Sequence, residues 1–143
     1  MDAGINLGIG TDGVASNDKL DMLGETRLAA LLAKAVAKDP TAAPVHKMLY
    51  AATMGGAKAL GWDREIGSLE AGKSADLFSC LLEEITSIPV LEPAAQLLYS
   101  AGRESITHVW INGQACCKKT NKKPSPLGGC PVRKHSTSLT RAE

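Results

Sequence analysis

The chain has 143 residues, enough for one domain with a core, and its 44% hydrophobic and 22% charged residues are those of an ordinary soluble globular protein rather than a disordered or membrane-spanning one. With only 3% aromatics, that core must be built from Ala, Leu, Ile, Val and Met. The net charge of +1 conceals an asymmetry: seven of the 16 Lys/Arg but one of the 15 Asp/Glu lie from Gln114 onward, so a mildly acidic body carries a basic tail.

No apolar run is long enough to span a bilayer, and the start carries Asp2 with no basic stretch, so neither a membrane partner nor a signal peptide is expected. A cytoplasmic setting follows. Cys80, Cys116, Cys117 and Cys130 form no C-x-x-C pair or framework, which suits free thiols in a reducing compartment better than disulfides or zinc.

Residues 4 to 10 read as a buried parallel strand, with Ile5 to Ile9 running into the turn "GTDG". Asn17 or Asp18 is a cap for a helix with body "KLDMLGETRLAALLAKAVAK", where Leu20, Leu23, Leu28, Leu31, Leu32 and Ala35 recur at helical spacing. Lys34 and Lys38 fall in its last turns, where the helix dipole favours cations. "DPTAAP" breaks the chain. A second helix follows from about Pro44 to Leu60, with Gly55-Gly56 allowing close approach of a neighbour and Gly61 as its C-cap.

"IGSLEAGKSADLFSCLL" then holds a Glu-Ala-Gly-Lys turn and a strand, Ala75 to Leu82. "PAAQLLYSAG" suits two or three helical turns ending at Gly102. "SITHVWING" is a strand, Ile106 to Ile111, closed by an Asn-Gly turn. The remainder mixes Pro, Gly, Ser, Thr and Lys without periodicity and reads as disordered. The first strand has no parallel partner in the chain, so its ladder groups are expected to stay unpaired and the architecture to be incomplete.

Asp12 is the leading chemical candidate. A carboxylate in a glycine-flanked turn at the C-terminal end of a strand sits where α/β folds bind ligands. There it could ligate a metal, hold a proton or bond a substrate amine. The same residue could equally bond its own turn or cap the next helix, and composition alone favours that plainer role. Ser16 and Asn17 read as first-turn and capping residues.

Three stretches together go further. "DAGINLGIGTDGVASNDKLDMLGETRLAALLAK", "MLYAATMGGAKALGWDREIGSLEAGKSADLFSC" and "QLLYSAGRESITHVWINGQ" resemble, in order over residues 2 to 114, the C-terminal third of the amidohydrolase superfamily. The nearest resemblance is to the 5-methylthioadenosine/S-adenosylhomocysteine deaminases and the related triazine and ethylammeline hydrolases.

The resemblance implies an α/β fold: residues 1–65 as the last strand and helices of an incomplete TIM barrel, 66–114 as part of a small β-sandwich, and 115–143 as a basic tail. It implies that Asp12 is the family's last metal ligand, which also bonds the attacking water and shuttles its proton. The implied activity is hydrolytic deamination of an adenine-type ring, using a divalent metal, zinc or iron, on a purine-nucleoside-like substrate. Alternatives are a triazine or ethylammeline chlorohydrolase, another cyclic-amidine deaminase, or a non-catalytic binding module. Substrate-binding residues are not assigned.

The family's other ligand histidines and its acid/base glutamate have no counterpart here. His46 at the start of the second helix reads as a packing or capping residue, His108 as a surface residue of a strand, and His135 belongs to the tail. One carboxylate cannot hold a catalytic zinc, which needs about three protein ligands. The chain alone is therefore expected to be inactive and not to retain metal. Its uncovered barrel faces should drive self-association or association with an N-terminal part.

After "ING" the pattern changes abruptly, as a reading-frame shift near the codons for residues 114 to 116 would produce; a genuine divergent tail is the alternative. The tail's Lys/Arg run lacks aromatic stacking residues, which argues against nucleic acid as a partner.

Overall fold

The computed structural model describes residues 4–82 and 89–118. The basic tail from Lys119, with Cys130 and His135, lies outside the described residues.

The first helix, α1, spans Met22–Ala37. Its N-cap is Asp21, whose carboxylate accepts the Gly24 N–H at 3.2 Å. That corrects the expectation of Asn17 or Asp18: the chain needs four more residues to turn from the Asp12 loop into the helix, and Asp21 is the one correctly placed when it starts. At the other end Lys38 takes a left-handed conformation (φ 51°), and Lys34 Nζ donates to the carbonyls of Pro40 (2.6 Å) and Ala42 (2.7 Å). Lys34 thus closes the "DPTAAP" connection as well as favouring the helix dipole.

The second helical stretch runs from Val45 to Leu60 without a break in direction but changes its winding: α2 is Val45–Tyr50, Ala51–Gly55 is a π-helical turn, and α3 is Gly56–Leu60. Gly61 ends it in the left-handed region (φ 73°), as its sequence position predicts. Gly55 and Gly56 do what small residues suggest. A Cβ on Gly55 would collide with the Leu7 carbonyl oxygen, and one on Gly8 would lie 3.0 Å from Gly56 Cα.

Residues 7–9 thus lie against this helix, and Ile9 N–H donates to the Ala51 carbonyl at 3.3 Å. They form no strand ladder among the described residues. The predicted strand is an extended segment held by helix contacts, in keeping with the absence of a parallel partner.

The connection to the sheet is shaped by the "IGSLEAGK" stretch. Gly67 (φ 94°) passes so close under α3 that a Cβ would lie 2.8 Å from Ala57 Cβ. Lys73 Nζ donates to the Asp63 carbonyl (2.6 Å) and Ser68 Oγ (2.7 Å), pulling the loop together from inside.

A three-stranded antiparallel sheet follows, in order β1 (Leu77–Cys80), β2 (Ile106–Ile111) and β3 (Gln114–Lys118). Leu77 pairs with Trp110 and Phe78 with Val109; Ile111 pairs with Gln114 and Val109 with Cys117. Asn112 (φ 49°) and Gly113 (φ 74°) make the two-residue turn between β2 and β3. β1 is shorter than the expected Ala75 to Leu82. β3 corrects the expectation that order ends at Gln114: Cys116 and Cys117 continue the strand, because hairpin pairing to β2 tolerates side chains with no core to reach.

Between β1 and β2, α4 (Pro93–Tyr99) starts from Glu92, which accepts the N–H groups of Ala94 and Ala95. A single turn of 3₁₀ helix, Arg103–Ser105, leads into β2. The core is small: Ala30 of α1, Met48 of α2 and Leu98 of α4 meet, with Ile9, Ala29, Val45 and Tyr99 packed around them.

Candidate functional site

Asp12 occupies the turn that ends the extended segment, at φ 60°. A non-glycine residue in the left-handed region costs about 1 kcal/mol or more, and such positions concentrate at functional sites. Its carboxylate Oδ1 accepts the Gly13 N–H at 2.6 Å, and Thr11 Oγ1 donates to its carbonyl at 3.1 Å. The side chain is exposed. A carboxylate can accept about four hydrogen bonds, and the turn provides this one, so Asp12 keeps capacity for a ligand.

The turn is folded locally by Ser16 N–H and Asn17 N–H, which both donate to the Gly13 carbonyl (2.9 and 3.0 Å). Asn17 is not a helix cap. Its Nδ2 donates to the Thr11 carbonyl at 3.0 Å and to Glu25 Oε1 at 2.7 Å, while its Oδ1 accepts the Lys19 N–H at 3.1 Å. Glu25 sits in the first turn of α1, where the helix dipole favours a carboxylate. Two residues on, Arg27 Nε donates to the Leu98 carbonyl at 3.0 Å and its Nη2 to the Ala101 carbonyl, clasping the C-terminal end of α4.

Asn17, Glu25 and Arg27 carry no sequence signature of these roles: Arg27 reaches carbonyls 71 and 74 positions away, and the Asn17–Glu25 pairing, across 8 positions, depends on how the chain between them folds back. Only the acidic residue in a helix's first turn is legible beforehand.

Beside the Asp12 turn, residues Leu7 to Gly10, Glu25, Leu28, Leu32 and Met48 are among those lining an open cleft of about 380 Å³. Apart from Glu25 its walls are apolar or backbone.

The two histidines among the described residues lie on separate elements. His46 is exposed on the first turn of α2. His108 is half-buried on β2, stacked on Trp110 with ring centroids 5.4 Å apart and Nδ1 3.3 Å from Ser79 Oγ. It is therefore not the surface residue that strand alternation suggested, because one face of its ring is covered by the next residue on the same side of the strand. Cys80, Cys116 and Cys117 form no disulfide among the described residues, and burial pushes the Cys80 thiol pKa up.

Among the described residues no group of three or more His, Cys, Asp or Glu side chains is placed to hold a metal ion. Asp12 offers one carboxylate where a protein-bound zinc takes about three ligands, so the described residues do not by themselves fit a resident metal. No helix among them is long and apolar enough to cross a membrane.

Comparison with known proteins places this geometry. A model of the amidohydrolase family matches residues 1–116. The 5-methylthioadenosine/S-adenosylhomocysteine deaminase of Moorella thermoacetica is 48% identical over 112 residues, covering 78% of this chain and 26% of that protein. Its counterpart in Teredinibacter turnerae is 41% identical over 115 residues, with 80% and 26% covered.

Among solved structures, a zinc-bound adenosine deaminase from Xanthomonas campestris superposes with a TM-score of 0.75 at 52% identity over 78% of this chain and 25% of that one. Atrazine chlorohydrolase from Arthrobacter aurescens, complexed with zinc, gives 0.72 at 36% identity, covering 82% and 26%. The chain spans about a quarter of the length of each of these relatives.

Proposed function

Because the chain belongs to the amidohydrolase family, we propose that it supplies the C-terminal quarter of a metal-dependent aminohydrolase that deaminates an adenine-type ring by hydrolysis. In this reading residues 1–65 are the last strand and helices of a TIM barrel, and 66–118, through β3, belong to the small β-sandwich, with the basic tail after it. Asp12 is the family's metal-site carboxylate, and the substrate is a purine nucleoside of the methylthioadenosine or adenosylhomocysteine kind.

The observation that carries this reading is Asp12 itself. It stands in a left-handed turn at the end of the extended segment, within residues 1–116, which the amidohydrolase family model matches. Identity of 52% to the adenosine deaminase against 36% to the atrazine chlorohydrolase favours loss of ammonia over loss of chloride.

The chain's own contribution is a carboxylate held by Gly13 N–H that can take and return a proton. The described residues do not complete a metal site, so the 143 residues alone are assigned no turnover. A zinc ion is present in the Xanthomonas and Arthrobacter structures, and the remaining ligands would come from the part of the enzyme that the relatives carry ahead of this stretch.

The test is reconstitution. The purified chain, with zinc, is assayed for ammonia release from 5′-methylthioadenosine, alone and mixed with the preceding three quarters of the Moorella thermoacetica enzyme. Activity should appear only in the mixture and fall at least about 10³-fold with Asp12→Asn, which keeps the shape and removes the charge. An inactive mixture, or stoichiometric zinc with turnover in the chain alone, contradicts the reading. An inactive mixture in which the two parts nonetheless bind favours the non-catalytic module.

A further inference from the structure

We infer that Asn17 is the positioning residue of the Asp12 turn, tying it through one side-chain amide to Glu25 at the start of α1. The inference rests on the role proposed above for Asp12, but its structural content stands apart from any turnover.

The turn needs such an anchor. Asp12 lies between Gly10 and Gly13, which leave the backbone on both sides free to pivot, and the segment leading into it has no sheet ladder among the described residues. It also holds a left-handed conformation (φ 60°), which costs a non-glycine residue free energy that surrounding contacts must offset. The Gly13 N–H to Asp12 Oδ1 bond and the Ser16 and Asn17 N–H bonds to the Gly13 carbonyl travel with the turn and do not fasten it to anything.

The Asn17 side chain does. One amide hydrogen goes to the Thr11 carbonyl, immediately before Asp12, and the other to the Glu25 carboxylate on α1. The second bond is charge-assisted and short, the stronger kind. Glu25 is itself fixed, since α1 is clasped to α4 by Arg27 two residues later.

Both Nδ2 hydrogens are used within the chain and one lone pair of Oδ1 accepts the Lys19 N–H, so the amide has no donor left for a substrate. A residue whose donors are spent in this way holds the Asp12 turn. Capping, the role its sequence position suggests, belongs to Asp21.

Hydrogen–deuterium exchange on the full chain tests this by comparing a peptide over residues 11–19 with one over 26–37. Asn17→Ala should raise exchange of the turn amides about tenfold while the α1 peptide stays at the native rate. Glu25→Gln, which keeps an oxygen acceptor, should restore near-native exchange, and Glu25→Ala should fall between.

If Asn17→Ala loosens α1 as well, Glu25→Ala decides, because it leaves the Thr11 bond in place: a rise confined to the turn supports the inference. A uniform rise in both variants, or no rise in either, overturns it. In the reconstituted enzyme Asn17→Ala should lower kcat about tenfold with KM within about threefold; a raised KM at unchanged kcat would make Asn17 a substrate contact and overturn the inference. Failure of the native mixture to turn over contradicts the proposed function alone, and the exchange experiment still stands.

Discussion

The helical region, residues 4 to 61, and the sheet region, residues 75 to 118, solve opposite problems. The helical region shares the chain's small core with α4 and the residues after it, yet apart from Met48 the residues it buries are small, and many of its large apolar ones are exposed. On α1 Ala30 is fully buried while Leu28 (51%), Leu32 (54%) and Val36 (84%) face outward, and Ile5 and Leu7 ahead of it are also open. The strands of the sheet have no buried side chain among the described residues, but β2 is paired on both sides, to β1 and to β3. One region has an apolar pattern in excess of what its own contacts cover; the other is held chiefly by ladder hydrogen bonds centred on β2. Apolar patterning and backbone satisfaction can therefore be met by different parts of one chain.

Leu98 joins the two regions, and the contrast breaks most completely there. It is 1% exposed and packs α4 onto Ala30 and Met48. Leu98→Ala should cost about 2–5 kcal/mol, read as a fall in the denaturant midpoint. The sheet's own amides should then exchange independently of α1; equal loosening of both would mean that the regions are a single unit.

A smaller effect separates two adjacent glycines. Gly55→Ala forces a Cβ into the Leu7 carbonyl and should destabilise by about 1–3 kcal/mol. Gly56→Ala meets only the Ala51 carbonyl oxygen, at 3.7 Å, and should instead stabilise by about 0.5–1 kcal/mol through helix propensity. Similar midpoints for the two variants would show that the extended segment is not held by the Gly55 contact.

The smallest expected effect concerns the sheet alone. Burial raises the Cys80 thiol pKa, whereas Cys116 is exposed. Iodoacetamide should therefore label Cys116 first, and labelling of Cys80 should need a higher pH. The same shift means that the native state keeps its proton longer than the unfolded chain. Cys80 therefore contributes stability that is full below about pH 8.5 and is lost as the pH rises toward the folded-state value. Equal labelling rates at every pH would place Cys80 on an open face.

Much of this was legible beforehand wherever the deciding physics is local. The body of α1, the Gly61 cap, the strand Ile106–Ile111 and its Asn112-Gly113 turn follow from helical spacing, the left-handed tolerance of glycine and hairpin chemistry. Asp12 was visible as a candidate for the same reason. The cap at Asp21, the strand through Cys116 and Cys117, and the covered ring of His108 were missed, because each depends on how far a neighbouring segment reaches before it pairs. The π-helical turn at Ala51–Gly55 was likewise hidden: its residues differ little from helix formers, and its carbonyl is used by Ile9 from outside.

By itself, the sequence determined the helices, the strand Ile106–Ile111 and its turn, and it carried the pattern of a family over most of its length. Tertiary structure alone decided that Asn17 fastens the Asp12 turn, that Arg27 clasps α4, and that Leu7 and Gly8 rest on two glycines rather than in a ladder. The reason is physical. Helix, turn and hairpin preferences act over a few residues, whereas these contacts join groups up to 74 positions apart, and the chain between them leaves no local trace of the pairing.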